Sequence, residues 1–260
     1  MVVLVTNDDG YQSPGIYILY KAAKKVFGDD VVAVAPHQVQ SSSGMSFTFH
    51  KPLRVEKINH KSMPVFSVSG TPSDCVFMGV YHLFRKKVNL VLSGINIGMN
   101  AGLETVYSSG TISASIFGAI SGIPSVAFSK NIVEDEDESG IERDMNSVYN
   151  SVVSILSKIK KSGFPKQVEL LNINFPYKVD SKTKIKVVKT DHMVFDDLVV
   201  KKSDPRGKDY YWLYGNMRKD LDPRADIYNL FKGYITITPI KLSAIEEESL
   251  LSVKKLFYTK

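Results

Sequence analysis

Two adjacent carboxylates, Asp8 and Asp9, stand directly after a short apolar run and directly before a glycine, in Thr6-Asn7-Asp8-Asp9-Gly10. Such a pair binds a divalent cation or manages a proton only if both groups face one point. Neighbouring side chains of a strand point to opposite faces, so the chain must turn at the pair, and Asn-Asp-Asp-Gly is turn chemistry. The plainer alternative is an acidic turn that keeps a loop solvated. Ser41, in Ser41-Ser42-Ser43-Gly44, and Asn96, in Ser93-Gly94-Ile95-Asn96-Ile97-Gly98, add oxygen donors of the same hard kind. A set of hard oxygens without histidine or thiolate suits Mg²⁺, Mn²⁺ or Ca²⁺ better than zinc or copper. Ser109-Gly110-Thr111, ahead of an apolar helix, offers free amides, two hydroxyls and the positive end of a helix dipole. Those are the elements of a phosphate site, although N-capping accounts for the same residues equally well. A metal beside a phosphate cradle implies phosphoryl chemistry.

The elements that must position these groups follow from the apolar pattern. Val2 to Val5, Val31 to Ala35, Asn89 to Leu92, Pro124 to Phe128 and Leu170 to Phe175 read as strands buried on both faces. Helices are expected from Pro14 to Phe27 with Ser13 as cap, from Thr71 to about Lys86, from Ile112 to Ile120, and from Asp144 to Lys161. Asp74, three residues after the Thr71 cap, is read as a capping carboxylate in preference to a catalytic one. Strand, helix, strand within the first 36 residues is a βαβ unit, which predicts a doubly wound, mostly parallel α/β sheet. The candidate donors then fall past strand carboxyl ends, where open α/β sheets bind ligands. Ser46 to His50 and Leu53 to Val68 read as a β excursion. From Lys184 the texture becomes alternating and lysine-rich, with strands at Ile185 to Lys189, Leu198 to Lys201 and Tyr210 to Tyr214, and predicts an antiparallel extension. Asp226 to Phe231 reads as a short helix, Tyr234 to Thr238 as a strand and Ile245 to Phe257 as a closing helix; Glu134 to Glu138 reads as a solvated loop. The division expected is a core at 1–182 and an extension at 183–260.

The chain is 260 residues long, long enough for a sizeable core. Its net charge of +6 comes from scattered lysines without a dense basic block, which argues against a nucleic-acid surface but would gather anionic substrates. The one cysteine, Cys75, rules out an internal disulfide and a cysteine-rich zinc site. No apolar run nears the roughly 20 residues of a spanning helix, and the first residues lack a signal pattern, so no membrane association and a cytoplasmic setting are expected.

Six stretches taken together resemble the SurE family of stationary-phase survival proteins, metal-dependent 5′/3′-nucleotidases. They are VTNDDG with SPGI, AP with the Ser-rich loop, GTPSDC, SGINIGMNAG, YSSGT and GYITITPI, in the family's order and spread over nearly the whole chain. The resemblance implies that Asp8, Asp9, Ser41 and Asn96 hold one Mg²⁺ or Mn²⁺, and that Ser109, Gly110 and Thr111, with Asn96, contact phosphate. It implies nucleoside monophosphates as substrates, with 3′-monophosphates and short polyphosphate as further ones. Asp8 and Asp9 are the candidate catalytic pair, and whether one acts as general base or both as ligands stays open. A homodimer or homotetramer through the carboxy-terminal region is implied as well.

The chain departs from the family's pattern at His37 and Gln40, where an aspartate and an arginine are usual, and at Phe117, where an acidic residue is common. Two rival readings remain. A haloacid-dehalogenase-type phosphatase expects Asp-x-Asp rather than adjacent aspartates. A non-catalytic Rossmann-like nucleotide-binding module expects Gly-x-Gly-x-x-Gly after the first strand, which is missing. Tyr11, Tyr107 and Tyr210-Tyr211-Trp212 are candidates to stack on a base, each with a core or interface role as the plainer alternative.

Overall fold

The computed structural model describes residues 1–132, 137–192, 195–196, 199–213, 215–242, 253–254 and 256. In chain order the elements are β1 (Val2–Thr6), α1 (Pro14–Phe27), β2 (Val31–Pro36), β3 (Val55–His60), β4 (Met63–Val68), α2 (Pro72–Phe77), β5 (Val88–Ile97), α3 (Leu103–Ser108), α4 (Gly110–Ile120) and β6 (Ser125–Lys130). There follow α5 (Glu138–Ser147), α6 (Tyr149–Ser162), β7 (Leu170–Phe175), β8 (Ile185–Val187), β9 (Phe195–Asp196), β10 (Val199–Ser203), β11 (Asp209–Leu213), β12 (Asn216–Met217), α7 (Asp226–Phe231) and β13 (Ile235–Ile240).

Nine strands form one sheet in the order β3-β4-β2-β1-β5-β6-β7-β13-β8. The run from β4 through β7 is parallel, while β3 and β13 pair antiparallel with β4 and β7. The chain winds outward from β1 to β2 and β4, then returns to β5 on the other side of β1. The order in which strands are added therefore reverses between the parallel neighbours β1 and β5, the place where doubly wound folds open a crevice. Alternate residues of β1 serve the two layers. Val3 and Val5 pack with Ile16 and Leu19 of α1 and Val152 of α6, whereas Leu4 packs with Val76, Val80 and Ala114. Leu4 is fully buried, a side chain contributing about 2 kcal/mol by transfer from water. Among the described residues no helix is long and apolar enough to cross a membrane.

The observed elements differ from expectation where local pattern is not the deciding force. The expected 71–86 helix is α2 followed by a wider π-type turn at Met78–Leu83, where Phe84 N–H reaches back to Gly79. Gly79 packs so near β1 that an added Cβ would sit 2.9 Å from Leu4 Cδ1. The expected 144–161 helix is two helices, because Asp137 caps α5 through Gly140 N–H at 2.8 Å and starts it earlier. The strand expected at 89–92 runs on through Ser93 and Asn96 to Ile97, with a register shift against β6 between Ser93 and Asn96. The segment 185–189, expected in an antiparallel extension, instead places Ile185–Val187 in the main sheet, parallel to β13. Its backbone partner, not its alternation, decides where it lies. β10 and β11 do form an antiparallel hairpin, with every residue of β11 exposed. Leu198, Tyr214 and the acidic residues 134–136 lie outside the described residues, as does the closing helix apart from Val253, Lys254 and Leu256, which are helical.

Candidate active site

The turn after β1 is fixed from several sides. Asn7 is fully buried and its carboxamide donates to Gly10 O at 2.8 Å, closing the turn that carries both aspartates. Tyr11 N–H donates to Pro36 O, and Gln40 N–H donates to Asp8 O at 2.8 Å, which ties the loop after β2 to the same turn. Behind it, α1 starts at Ser13, whose hydroxyl accepts from Gly15 N–H. Gly15 lies so close to β5 that a Cβ there would fall 1.9 Å from Ile95 O, a position only glycine can occupy.

Asp8 and Asp9 thus come to one place, at the carboxyl end of β1 and beside the reversal of the sheet. Asp8 is 4% exposed and accepts a hydrogen bond from the Thr111 hydroxyl in the first turn of α4. Gly110 packs against it, an added Cβ lying 2.8 Å from Asp8 Cβ. Asp9 accepts from Ile97 N–H at 3.2 Å, next to Asn96. The Asn96 carboxamide nitrogen donates to Ile97 O and Gly98 O, which leaves its oxygen as the group available to a cation. Four of the predicted residues, Asp8, Asp9, Gly110 and Thr111, are therefore in direct contact or one bond apart, and Asn96 is adjacent. Ser41 is exposed one residue from the Gln40 contact, and among the described residues no hydrogen bond joins it to the aspartates. Ser109 is the N-cap of α4, accepting from Ile112 N–H at 3.2 Å.

Burial raises both carboxyls. Asp8 is held above the ordinary carboxylate range by desolvation, against the lowering effect of the Thr111 hydroxyl. Asp9 is pushed up to about 7 by desolvation first and by the neighbouring Asp8 charge second. No ion pair among the described residues involves either aspartate. Two desolvated, like-charged carboxylates without a cationic side chain fit a bound metal cation, which would relieve both costs. Among the described residues no cluster of three or more His, Cys, Asp or Glu is placed to hold a metal, so a cation here would rest on two carboxylates and neutral oxygens. That composition suits a hard divalent ion.

A buried polar lattice holds the far wall. Asn100 N–H donates to Asn174 Oδ1 at 2.7 Å and its carboxamide to Ser129 Oγ, while Asn172 and Asn174 donate to Asn100 O. Asp226, fully buried on α7, accepts from Gly102 N–H. The loop leaving β5 through Asn96 is thus pinned to β6, β7 and α7. Sequence reading missed this lattice, although the two asparagines of the otherwise apolar Leu170 to Phe175 were its one visible sign.

The Ser-rich loop is anchored at both ends. Gly44 N–H donates to Ser108 O, and the Ser46 carbonyl accepts from Thr71 Oγ1 at 2.7 Å. Asp74 completes a capping box with Thr71 and also accepts from Thr48 N–H, so its role is structural, as expected. Phe117 on α4 packs edge-on against Phe47 of this loop, ring centres 5.0 Å apart. His37 and Gln40 line a cleft of about 280 Å³ with Lys51 and Ser69. Of the stacking candidates, Tyr11 is part-buried against His37 and His60, Tyr107 is 72% exposed beside Ser108, and Tyr210, Tyr211 and Trp212 lie on the hairpin.

Residues 3–197 match the family described as Survival protein SurE. A protein from Methanocella arvoryzae named 5′-nucleotidase SurE is 34% identical over 259 residues, covering 98% of this chain and 97% of the relative. A protein of the same name from Caldanaerobacter subterraneus is 39% identical over 256 residues, covering 98% and 95%. The crystal structure of the SurE protein from Aquifex aeolicus superposes with a TM-score of 0.83 at 34% identity, covering 98% of this chain and 99% of that one.

Proposed function

The chain belongs to the SurE family, and on that premise we propose that it is a divalent-metal-dependent phosphomonoesterase acting on nucleoside 5′-monophosphates. The observation that carries this reading is the hydrogen bond from Thr111 to Asp8. It brings a desolvated carboxylate pair and the amino end of an 11-residue helix into one small volume. Asp8, Asp9, Ser41 and Asn96 would hold a single Mg²⁺ or Mn²⁺. A divalent ion there supplies charge neutralisation, polarisation of a phosphoryl oxygen and a more acidic bound water.

The chain's own groups account for the rest. Of the first-turn amides of α4, Ile112 N–H is taken by the Ser109 cap, Thr111 N–H by Asp8 and Ser113 N–H by Ser109 O, so the Gly110 amide and the positive end of the helix dipole would orient the phosphoryl oxygens and stabilise their charge. Thr111 holds the Asp8 carboxylate in one rotamer, and Ile97 N–H does the same for Asp9. Bonds from the Asn96 carboxamide nitrogen to Ile97 O and Gly98 O hold that side chain and leave its oxygen for a cation. Neither the helix end nor the carboxylates recognise a base, so weak base selectivity is expected. Hydrolysis of 3′-monophosphates and of short polyphosphate is part of the same proposal, as is a homodimer or homotetramer assembled through the exposed hairpin.

Phosphate release measured over 5′- and 3′-monophosphates, sugar phosphates and polyphosphate, with Mg²⁺, Mn²⁺ or EDTA, tests the assignment. Metal-dependent release from 5′-monophosphates is the expected result. A preference for sugar phosphates above about tenfold, roughly 1.4 kcal/mol of transition-state binding, overturns the nucleotidase reading. Binding without turnover would favour the non-catalytic nucleotide module, and a trapped phospho-aspartate the haloacid-dehalogenase type.

A further inference from the structure

The polar groups past the strand ends continue beyond the two aspartates. β4, β2 and β1 are parallel neighbours in the sheet, so the residues that follow them line one edge. His37 to Gln40 follow β2, and Ser69 and Gly70 follow β4. With Lys51 they line the cleft of about 280 Å³, and a second cleft of about 220 Å³ continues through His37 and Ser69 to Arg54 and Glu56. Pro36 pairs with Val68 and Val5 with Ala33, a register that extended by three residues sets Asp8 level with Pro36. Neighbouring strands lie about 4.8 Å apart, so the cleft lies roughly 5–10 Å from Asp8 along that edge. Gln40 belongs to both places, its amide donating to Asp8 O at 2.8 Å while the residue lines the cleft.

The cleft is open to solvent and carries cations without partners. Lys51, Arg54 and His37 are exposed, and neither Lys51 nor Arg54 makes an ion pair among the described residues. His37 is held in place: its N–H donates to Val68 O at 2.8 Å, its Nδ1 lies 3.0 Å from Ser67 Oγ, and its ring lies against Tyr11 with centres 5.7 Å apart. Nε2 is then the ring nitrogen left for a ligand. The Gln38 and Gln40 carboxamides add neutral donors. Glu56 is the one acid of the lining, and it stands at the far end beside Arg54. An apolar slot for a base is missing, since Val68 is the one aliphatic residue of the lining and is fully buried. Unpaired cations beside a phosphoryl site favour a second anion.

Resting on the nucleotidase reading, we propose that this cleft is a second phosphate subsite, and that the substrates it selects are nucleoside 3′,5′-bisphosphates. One phosphate sits at Asp8 and Asp9, and Lys51 and His37 Nε2 hold the other. A ribose separates its 5′ and 3′ phosphates by a distance within the span between those places. Adjacent phosphates of a polyphosphate share one oxygen and lie too close together for that. In the reaction the oxygen of a water bonds to the phosphorus at the aspartates, the P–O ester bond breaks, and the departing ribose oxygen takes up a proton from that water. Inorganic phosphate and a nucleoside monophosphate leave, the second phosphate being untouched. Lys51 thus sets specificity and takes no part in bond breaking.

Initial rates of phosphate release by the Mn²⁺-loaded protein from adenosine 3′,5′-bisphosphate, the 5′- and 3′-monophosphates and pyrophosphate test this, in the parent and in Lys51→Ala and Lys51→Arg. The parent should favour the bisphosphate over either monophosphate by about tenfold in kcat/KM, chiefly through KM, and the preference should shrink as salt is raised. Lys51→Ala should erase most of that preference and Lys51→Arg should keep it within about threefold, with monophosphate turnover within about twofold of the parent in both. Equal kcat/KM for bisphosphate and monophosphates in the parent overturns the inference while the nucleotidase reading stands. A loss in Lys51→Ala shared equally by the monophosphates overturns it too, since the lysine then serves the first phosphate. An effect of Lys51→Ala confined to pyrophosphate overturns it in favour of a site for phosphate chains. If the parent releases phosphate from none of these substrates, the functional reading fails and this inference with it.

Discussion

Replacing Asp9 by Asn should stabilise the metal-free protein at neutral pH and abolish its stabilisation by metal. The Asp9 carboxyl, ordinarily near 3.8, is pushed up to about 7 by desolvation and by Asp8. At 1.36 kcal/mol per decade of proton affinity, keeping it ionised in the fold costs about 4 kcal/mol. Asp9 is partly open to solvent and titrates jointly with Asp8, so about 2–3 kcal/mol is the magnitude to expect. The sign follows from the folded pKa lying above the unfolded one. Below about pH 4 both states carry the proton and no penalty exists; between about pH 4 and 7 the folded state binds the extra proton and stability falls as pH rises; above about 7 the loss is complete. The neutral carboxamide of the Asp9→Asn variant carries no such penalty, and its oxygen can still accept from Ile97 N–H. In EDTA, urea unfolding at fixed protein concentration should find the variant and parent alike near pH 4 and the variant more stable by 2–3 kcal/mol at pH 8, about 4–12 °C in Tm for a chain of this size. Adding Mn²⁺ should raise the parent and leave the variant unmoved. A parent curve flat from pH 4.5 to 8 in EDTA, or a variant no more stable at pH 8, refutes the reasoning that these carboxylates are uncompensated.

Other consequences can be measured on the same preparations. Asp8→Asn should abolish phosphate release with little loss of fold stability, and Ser41→Ala should weaken Mn²⁺ affinity more mildly because it is a neutral, exposed donor; near-normal turnover of Asp8→Asn at saturating Mn²⁺ would sink the metal-centre proposal. Phe117→Ala should destabilise by about 2–3 kcal/mol and speed proteolytic cleavage within residues 41–50, since its ring clamps Phe47 of that loop; a change in stability without a change in cleavage would uncouple the two. Sedimentation at micromolar concentration should find an oligomer, and Trp212→Asp with Leu213→Asp, at positions 61% and 88% exposed in the chain, should yield monomers; an intact chain that sediments as a monomer contradicts the assembly proposal.

How far the chain could be read from its sequence depended on whether the deciding contacts were local. β7 and α7 came out with the expected bounds because their signals lie within themselves: a continuous apolar run buried on both faces, and a short apolar turn opened by an acidic residue. α3 had no such signal. Its first amides are satisfied from outside, Leu103 N–H by Asp191 O and Glu104 N–H by His192 O, and no window of sequence contains both sides of that bond. β8 took its place through a parallel partner some fifty residues further on, again beyond the reach of alternation.

The site divides along the same line. That Asp8 and Asp9 meet at a turn past β1 was legible because adjacency, turn chemistry and position past a strand all point there without reference to any other residue. The hydroxyls were not, because three serines in a row and a Ser-Gly-Thr helix start look alike until the bonds are assigned. Capping engages Ser109 and the Asp8 carboxylate engages Thr111, bonds that no window of sequence displays. Residue type proposes the chemistry of a phosphate cradle, but competition for hydrogen bonds decides which member of the set is left to perform it.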